Sequence, residues 1–590
     1  MRLYLRARYL YLILLSAIVG AFVGIMSFAL HACIEFNTKI FLEGLDSYMP
    51  PLSSGEVEVL PFHVHLGVLP TFLVPAIGGL ICGVVASRLA SETLGGGTKE
   101  AITAFHTTGR IRARVPFVKM IVTGFTIGSG GSGGREGPIM QIGAGIGSIV
   151  GNIFRRISEK DRRILLACGM GAGMGSIFLS PIGGAIFGVE VLYKRDYEVE
   201  ALVPAVVSSI TAYAVFHILL SVFAGVPFGT LRIFSAPDIR LQSPIELIFY
   251  ALLGIAGGLI SILYIECYKF VKNLFKKLKI PTPLKPAIGG FVVGLMGWKF
   301  HFVLGTGYGY VQMAINGLMN PETLWIATFA KILATTLTVG SGGSGGLFAP
   351  GVVIGAMLGG GFGYLIHDLT PTAGDPRGYV LAGMVTLLAG AFKTPLSAVI
   401  MVFEMTGSYN LLPALAIAST ISYVITGDRS ICDQPNTRVD SPIHRRELSV
   451  DVLREIKVEE AMIPAEKVYT VSPDMTLLDV LRLIEETGHI GFPVLEDGKL
   501  VGIITFEDVE KIPIEKRANT KVKDVMSTNL IVTYPDETLE DALIKLATYD
   551  IGRLPVVSRE DRTKFLGLIT RSLIVKAHAK AVKELSEESL

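Results

Sequence analysis

Long apolar runs recur along the first part of the chain, separated by short segments rich in glycine, proline and charged residues. A helix needs about 20 mostly apolar residues to cross the hydrocarbon core of a bilayer. Runs of roughly this kind include Tyr11–Leu30, Leu66–Ala86, Ala201–Ala224, Leu247–Ile265 and Pro286–Phe300. Other apolar runs are too short or too rich in glycine to span alone, as broken helices are. The pattern from Tyr9 to about Thr426 therefore predicts an all-α polytopic membrane domain.

The pattern changes near residue 430, where a polar segment, DQPNTRVDSPIHRRE, begins at Asp433. Beyond it the chain is charged and amphipathic, as soluble domains are. We expect a transmembrane domain over residues 1–430, with two repeats at about 9–225 and 245–430, followed by a linker over residues 431–457 and a soluble α+β tail.

Basic residues before the first apolar run indicate its orientation. Arg2, Arg6 and Arg8 precede the run, and no small-residue cleavage site ends it, so it is typical of a retained helix rather than a signal peptide. Basic flanks stay on the cytoplasmic side. We therefore expect a multi-pass protein of the cell membrane whose N-terminus is cytoplasmic.

A glycine-rich heptapeptide, GSGGSGG, occurs twice, at Gly128–Gly134 and Gly340–Gly346, an offset of 212 residues. Flanking residues match at the same offset, for example Lys119 with Lys331 and Pro138 with Pro350. Duplicated apolar segments interrupted by glycine and proline are the sequence signal of a transport site built from broken helices. The membrane domain is therefore predicted to be an internal duplication.

Composition supports a membrane protein and excludes several other classes. Half of the 590 residues are hydrophobic, 18% are charged and the net charge is +2, so no nucleic-acid partner is expected. The mean hydropathy is +0.54. Five cysteines lie far apart without a CxxC pair, and the isolated His63 and His65 have no third ligand nearby, so neither a metal site nor a disulfide framework is indicated.

The glycine-rich turns carry the candidate chemistry. A turn that opens a helix presents unpaired N–H groups at the positive end of the helix dipole, which together bind an anion without a formal cation. Within a bilayer, a lysine or arginine at that depth is costly. Two other interpretations are small-residue helix packing and a phosphate loop, but GxxxxGK[ST] is absent.

The tail contains a second duplication. Thr470 and Thr533 each open a helical pattern, which is followed by a proline-valine strand at Pro493 or Pro555 and by a GxIT strand. This order resembles a pair of CBS domains, which we place at residues 458–513 and 520–581, with a final tail over residues 582–590.

The CBS resemblance implies an adenine nucleotide, ATP, ADP or AMP, in the cleft between the modules, although no cofactor is expected to be required. The first module keeps the GxxTxxD segment that ends at Asp508, whereas the second has Leu573 in place of the aspartate. The implied nucleotide-binding residues are Thr470, Pro493, Thr505, Asp508 and Thr570. The alternative is a dimerising platform with an empty cleft.

Further motifs identify a family for the whole chain. GREGP at Gly134–Pro138, GGLFAP at Gly345–Pro350, KxxxT at Lys331–Thr335 and the CBS pair, in this arrangement, resemble the CLC chloride channel and proton/chloride antiporter family. The resemblance implies a transport protein rather than an enzyme, with an inverted repeat, a cytosolic tail and a homodimeric assembly that has one pore per subunit.

The same resemblance assigns residues to the anion path. Glu136 is similar to the gating glutamate, whose ionised carboxylate competes with chloride for the same N–H groups. Arg135 is expected to be a structural partner, and Glu190 and Glu404 to stabilise helix ends. The implied anion-binding residues are Gly96, Gly97, Arg135, Glu136, Gly137, Leu347, Phe348 and Cys432.

Three positions depart from the family pattern. Gly96 replaces the usual serine, and Cys432, or Ile431 after a one-residue slip, replaces the central tyrosine. Val191 replaces the internal glutamate that relays protons in the antiporters. The first two changes predict a wider inner path, and the third removes a proton acceptor.

We therefore expect a passive chloride channel gated by Glu136. The alternative is a proton/chloride antiporter of the same family. The fluoride-exporting branch is less favoured because it has methionine where Gly96 stands, while nitrate transport stays open. A hypothesis from another class is a nucleotide-sensing membrane receptor without ion flux, but that hypothesis leaves the duplicated glycine-rich core unexplained.

Overall fold

The computed structural model describes residues 2–154, 157–370, 374–444 and 452–588. The chain forms two compact units, Met1–Ser441 and Pro442–Leu590. The predicted linker, residues 431–457, includes residues 445–451, which lie outside the described residues.

Within the described residues, the first unit consists of helices and the loops that join them. A π-helical turn, Lys39–Asp46, extends its first helix. The sixteen α-helices are α1 Arg2–Thr38, α2 Val74–Leu89, α3 Thr98–His106, α4 Val115–Gly128, α5 Glu136–Ile153, α6 Glu159–Ile177, α7 Pro181–Glu190, α8 Leu202–Ala224, α9 Glu246–Lys277, α10 Leu284–Lys299, α11 Tyr308–Ile315, α12 Pro321–Gly340, α13 Phe348–Leu369, α14 Pro376–Phe392, α15 Pro395–Thr406 and α16 Leu412–Ile425.

Five helical segments within the described residues are long and apolar enough to cross a bilayer: Arg8–Asp46, Val199–Ala224, Glu246–Lys277, Pro321–Gly340 and Phe348–Leu369. The last two were not among the runs named from the sequence. One predicted run was wrong in its extent, because Leu66–Ala86 becomes helical only at Val74. Prolines explain the difference, since Pro75 is tolerated in the first helical turn but disfavoured inside a helix.

The helices repeat in the same order in both halves of this unit. Helices α1–α8 correspond to α9–α16, and a short 3₁₀ turn precedes α3 and α11 alike, at Ser91–Thr93 and His301–Val303. The halves meet in an antiparallel bridge between Gly134 and Gly346. The duplication predicted from the heptapeptides is therefore confirmed along the whole unit.

Glycine explains how the two heptapeptides turn the chain. Gly130 has φ of 95° and Gly342, its counterpart, has φ of 107°. Residues other than glycine rarely adopt this region of φ. Each turn ends one helix, α4 or α12, and leads after a few residues into the next, α5 or α13. The broken helices expected from the sequence are therefore formed at these turns.

Glycine also lets neighbouring helices touch through their backbones. A Cβ added to Gly143 in α5 would lie 2.0 Å from the Gly169 carbonyl oxygen in α6. The second repeat contains the same contact, since a Cβ on Gly355 in α13 would lie 2.2 Å from the Gly383 oxygen in α14. Small residues at such crossings allow close van der Waals packing between membrane helices.

The second unit mixes short helices and strands, as predicted for an α+β tail. Antiparallel pairing gives a three-stranded sheet in the order β1-β5-β4 and a two-stranded sheet formed by β2 and β3. The elements are α17 Val458–Ala461, β1 Ile463–Pro464, α18 Leu477–Thr487, β2 Gly491–Glu496, β3 Lys499–Thr505, α19 Phe506–Glu510, α20 Ile514–Arg517, α21 Leu539–Thr548, β4 Arg553–Val557, β5 Phe565–Thr570 and α22 Arg571–Glu588.

The repeat inside this unit has a constant register. Val471 forms a parallel bridge with Val494, and their counterparts 62 residues later, Thr533 and Val556, form the same bridge. One apolar cluster includes Val480 of α18 and the other Leu546 of α21; the second cluster also contains Val458, from the start of the segment predicted as the first module. The segment predicted as a tail, residues 582–590, continues α22 as far as Glu588.

Candidate functional site

Glu136 opens α5 and is fully buried. Its Oε1 accepts a hydrogen bond of 2.5 Å from the Tyr308 hydroxyl. Its Oε2 has no hydrogen-bond partner in the described part of the chain. A buried carboxylate oxygen without a partner is costly inside a protein, which marks this position as functional.

The N-termini of α5 and α13 converge on this carboxylate. Gly134 donates its N–H to the Gly346 oxygen at 2.9 Å, and Gly346 donates back at 2.6 Å, so the two preceding turns are joined. A Cβ on Gly134 would lie 2.1 Å from Glu136 Oε2 and 3.1 Å from the Ala349 nitrogen. The carboxylate oxygen therefore lies where two helix dipoles favour negative charge.

The turn before α3 closes the site on another side. A Cβ on Gly137 would lie 2.4 Å from the Gly96 oxygen and 2.9 Å from the Gly346 Cα. Gly97, with φ of 90°, is the N-cap of α3. The structure thus brings Gly96, Gly97 and Gly137 together with Glu136, as the resemblance implied.

Phe348 forms an apolar wall and is 1% exposed. Its ring packs at 5.4 Å from Phe178, 5.0 Å from Phe187 and 5.0 Å from Phe392, measured between ring centroids. Beside it, the Leu347 carbonyl accepts a hydrogen bond of 2.9 Å from the Tyr264 hydroxyl. These rings exclude water and strengthen electrostatic interactions at the site.

A small cavity of about 20 Å³, here called the inner cavity, is lined by Gly96 and Cys432, two of the three positions noted above as departures, whereas Val191 does not line it. Such a volume holds about one water-sized particle. Ile431 and Cys432 both line this cavity. The residue that replaces the central tyrosine therefore lies at the cavity in either of the two alignments given above. The lining also includes Gly96, Leu347, Phe392 and Tyr268.

Sequence reasoning missed two tyrosines of α9, Tyr264 and Tyr268. Tyr264 bonds the Leu347 carbonyl, and Tyr268 lines the inner cavity. A four-residue spacing on one helix places both side chains on the same face, which is the signal that could have found them. Cys432 supplies no aromatic ring to the inner cavity, but Tyr268, from α9, does.

Two buried lysines hold the turns around the site in a symmetrical way. Lys119 donates to the Thr93 and Gly95 oxygens at 3.0 and 2.7 Å. Lys331 donates to the Val303 and Gly305 oxygens at 3.1 and 2.9 Å. An ammonium group within a bilayer needs polar partners. The hydrogen bonds from the two lysines to these carbonyls therefore fix the turns that precede α3 and α11.

Glu190 and Glu404 cap helices of the opposite repeat. Glu190 accepts the N–H groups of Leu396 and Ser397 at the start of α15. Glu404 accepts those of Ile182 and Gly183 at the start of α7. The helix-end role expected of both carboxylates is confirmed by these contacts.

Arg135 and Val191 complete the membrane part of the site. The Arg135 guanidinium lies 3.1 Å from His31 Nδ1 and 3.8 Å from Glu56, and it lines an outer cavity of about 240 Å³. These contacts agree with a structural partner. Val191 is fully buried and is the C-cap of α7, directly after Glu190.

In the tail, Asp508 caps α19. Its Oδ2 accepts the Thr505 hydroxyl at 2.7 Å, and Oδ1 accepts Lys511 at 3.1 Å. In the second module, the Thr570 hydroxyl accepts the Leu573 N–H at 3.3 Å. Pro493 accepts the N–H of Val471, next to Thr470, at 3.1 Å. Asp508 is thus already engaged by its own helix.

Comparison with known proteins supports the same family. A family model described as voltage gated chloride channel matches residues 78–427, and a CBS domain model matches residues 458–514 and 522–580. A putative chloride channel protein ClcB-like from Ralstonia nicotianae is 30% identical over 70% of this chain and 92% of its own length. The H(+)/Cl(-) exchange transporter ClcA of Klebsiella pneumoniae is 28% identical over 69% of this chain and 83% of its length.

Fold similarity extends over both units. The crystal structure of a eukaryotic CLC transporter matches with a TM-score of 0.56 and 19% identity, covering 97% of this chain and 98% of that one. The converging helix ends, the family model and the relatives agree: the chain belongs to the voltage-gated chloride channel family, the CLC proteins, as a membrane-embedded anion-transport domain followed by tandem CBS domains.

Proposed function

We propose that this protein is a passive chloride channel gated by Glu136, within the anion transport of its family. The observation that carries the proposal is the buried Val191 at the end of α7, the position at which the family resemblance implies a proton-relay carboxylate in the antiporters. A valine has no group that binds a proton. Chloride movement through this chain is therefore not tied to proton movement by that route.

The neighbouring Glu190 does not replace the missing relay. Its carboxylate accepts two hydrogen bonds from Ser397, at 2.8 and 2.5 Å, and one each from Leu396 and Tyr197, at 3.0 Å. A proton shuttle must change partners during each cycle, which would leave these buried donors unpaired. This arrangement supports the channel over the antiporter.

Gating follows from direct competition. The ionised carboxylate of Glu136 occupies the junction of two helix N-termini, where a chloride ion is stabilised by the same N–H groups. Protonation removes the negative charge of the carboxylate, so the N–H groups of the two helix N-termini no longer hold the side chain at this junction. The implied anion ligands are Gly96, Gly97, Gly137, Leu347, Phe348 and Cys432, with Arg135 holding the outer side.

The second candidate is a proton/chloride antiporter. Similarity to an H(+)/Cl(-) exchange transporter over most of its length favours it. That similarity covers the shared anion path, whereas coupling to protons depends on particular side chains. Val191 is the position at which the two candidates differ most.

One experiment separates these candidates. The purified protein is reconstituted into liposomes with a chloride gradient, and chloride efflux and internal pH are read together. We expect chloride flux without uphill proton uptake, and a reversal potential set by chloride alone. Stoichiometric proton uptake against its gradient would establish the antiporter, and absence of anion flux would favour a membrane receptor.

We further propose a homodimer with one pore per subunit, in the cell membrane, with a cytoplasmic N-terminus and tail. Its domains are the transmembrane part at residues 1–430 and CBS modules at 458–513 and 520–581. ATP, ADP or AMP at Thr470, Pro493, Thr505, Asp508 and Thr570 would regulate flux. Mass measurement of the detergent-solubilised protein, with and without nucleotide, tests the assembly and the ligand.

A further inference from the structure

We infer that Tyr308 is a positioning residue for the gate: its hydroxyl holds the Glu136 carboxylate in the buried place between the two helix N-termini. This inference rests on the proposed gating role of Glu136. It concerns a residue that none of the sequence motifs includes, and it adds a restraint on the gate besides competition with the anion.

The contact itself is short and dry. The Tyr308 oxygen lies 2.5 Å from Glu136 Oε1, and the two side chains are 1% and 0% exposed. Oxygen-to-oxygen distances of about 2.5–2.7 Å are typical of hydroxyl groups that donate to ionised carboxylates. Such hydrogen bonds are stronger than those between neutral groups, and burial removes competition from water.

The tyrosine is held rigidly by its surroundings. It is the first residue of α11, directly after Gly307, whose φ of 86° sets the turn. Its ring packs 5.5 Å from Phe234 and 6.5 Å from Phe178, between centroids. Lys331 fixes the same turn through the Gly305 oxygen. The hydroxyl is therefore presented to Glu136 from a fixed position, and the carboxylate must break this bond to leave.

Other charged groups near the gate are tied to each other. The Arg135 guanidinium lies 5.8 Å from the centre of the Tyr308 ring, 3.8 Å from Glu56 and 3.1 Å from His31. Removing the tyrosine hydroxyl leaves all three of these groups in place. A change in pH response after that removal is thus attributable to the bond with Glu136.

The test uses Tyr308→Phe in the full-length protein in liposomes, with chloride efflux measured from pH 4.5 to 8. The phenol stabilises the ionised carboxylate in its buried place, so its loss makes protonation and opening easier. We expect flux at alkaline pH to rise about tenfold, and the pH of half-maximal flux to move upward by about one unit.

Tyr310→Phe is the matched control. Tyr310 lies two residues further along α11, and its hydroxyl bonds to the Tyr48 hydroxyl at 3.1 Å rather than to Glu136. This variant should keep the pH profile of the unmodified protein. An equal shift in both variants, or a Tyr308→Phe profile identical to the unmodified one, would overturn the inference.

A second pair of variants, Glu136→Ala with and without Tyr308→Phe, separates this inference from the proposed function. In a Glu136→Ala background, Tyr308→Phe should add no further change, since its partner is gone. If Glu136→Ala itself keeps the full pH dependence, the gate is elsewhere and both ideas fail. If Glu136→Ala loses the pH dependence while Tyr308→Phe alone has no effect, only the role of Tyr308 fails.

Discussion

Gly134 and Gly346 exchange two backbone hydrogen bonds, of 2.9 and 2.6 Å. Each glycine lies two residues before the start of a helix, α5 or α13. The bridge joins the two repeats beside the N-termini that converge on the Glu136 carboxylate. Neither helix start can shift without the other, so the geometry of the site depends on both halves at once.

Glu136→Gln should leave chloride flux substantial and remove most of its pH dependence. Glutamine has nearly the same shape but carries no charge that competes with chloride at any pH. Efflux from liposomes between pH 4.5 and 8 measures the effect. Glu56→Gln, which removes the other carboxylate near Arg135, is the control and should retain the pH response; an unchanged profile for Glu136→Gln would contradict the gate.

Gly96→Ser should fold normally and change anion preference. No atom lies within 4 Å of a Cβ added at Gly96, so a hydroxyl fits into the inner cavity. A hydroxyl that donates to an anion contributes about 1.5–3 kcal/mol, and a difference of about 0.5–1.4 kcal/mol between the two anions changes the chloride-to-nitrate permeability ratio about two- to tenfold. Reversal potentials in mixed anion gradients measure that ratio.

Gly97→Ser is the control for this substitution. A Cβ at Gly97 would lie 2.8 Å from the Gly137 oxygen, and φ of 90° disfavours any side chain. We expect poor folding or lost flux for Gly97→Ser alone. Equal folding yields and equal selectivity for the two serine variants would show that the inner path is not shaped as described.

Glu404→Ala should destabilise the membrane unit. It removes the acceptor of three donors, Ser180 Oγ and the N–H groups of Ile182 and Gly183. Ser180 and Gly183 are buried, and leaving buried donors unpaired costs about 1–3 kcal/mol. Thermal unfolding in detergent should therefore occur at a lower temperature than for Glu322→Ala, which removes an exposed carboxylate at the start of α12; equal unfolding temperatures would speak against the capping role.

Asp508→Ala should weaken adenine-nucleotide binding. A carboxylate that accepts ribose hydroxyls contributes about 1.5–3 kcal/mol, or tenfold to a hundredfold in affinity. Calorimetry with ATP, ADP and AMP on the full-length protein measures it. Leu573→Ala, at the equivalent place in the second module, should barely change binding.

The capping role of Asp508 requires one more control. Asp479 forms the same kind of cap, accepting the Thr476 hydroxyl at 2.6 Å at the start of α18. Asp479→Ala should lose a similar stability, about 1 kcal/mol, while keeping nucleotide affinity. Equal loss of affinity in both variants would reduce the Asp508 effect to helix stability, and no binding to the unmodified protein would leave the CBS pair a dimerisation platform.

Sequence patterns predicted the duplicated helical unit and the α+β tail because both depend on periodic, local signals. GSGGSGG fixed the two turns, and the 62-residue spacing of Pro493 and Pro555 fixed the register of the modules. The predicted run over Leu66–Ala86 was wrong in its extent, because hydropathy alone does not show that Pro75 belongs in the first turn of a helix.

Contacts between distant segments could not be predicted in the same way. Tyr308 meets Glu136 across 172 residues, and Tyr264 meets Leu347 across 83. Neither tyrosine stands out in a hydrophobic segment, where aromatic residues are common. The contact of Tyr308 depends on how the two repeats dock, and that of Tyr264 on packing between separate segments of the second repeat; no local pattern encodes either.

The reciprocal capping by Glu190 and Glu404 has a consequence for synthesis. The donors that Glu190 satisfies lie up to 207 residues later in the chain. At translation rates of about 5–20 residues per second, roughly 10–40 s pass before these donors are synthesised, and until then the first half offers Glu190 only its nearby donor, the Tyr197 hydroxyl. Docking of the halves is therefore a late, non-local step of folding, which cannot be completed until both capping segments have been synthesised.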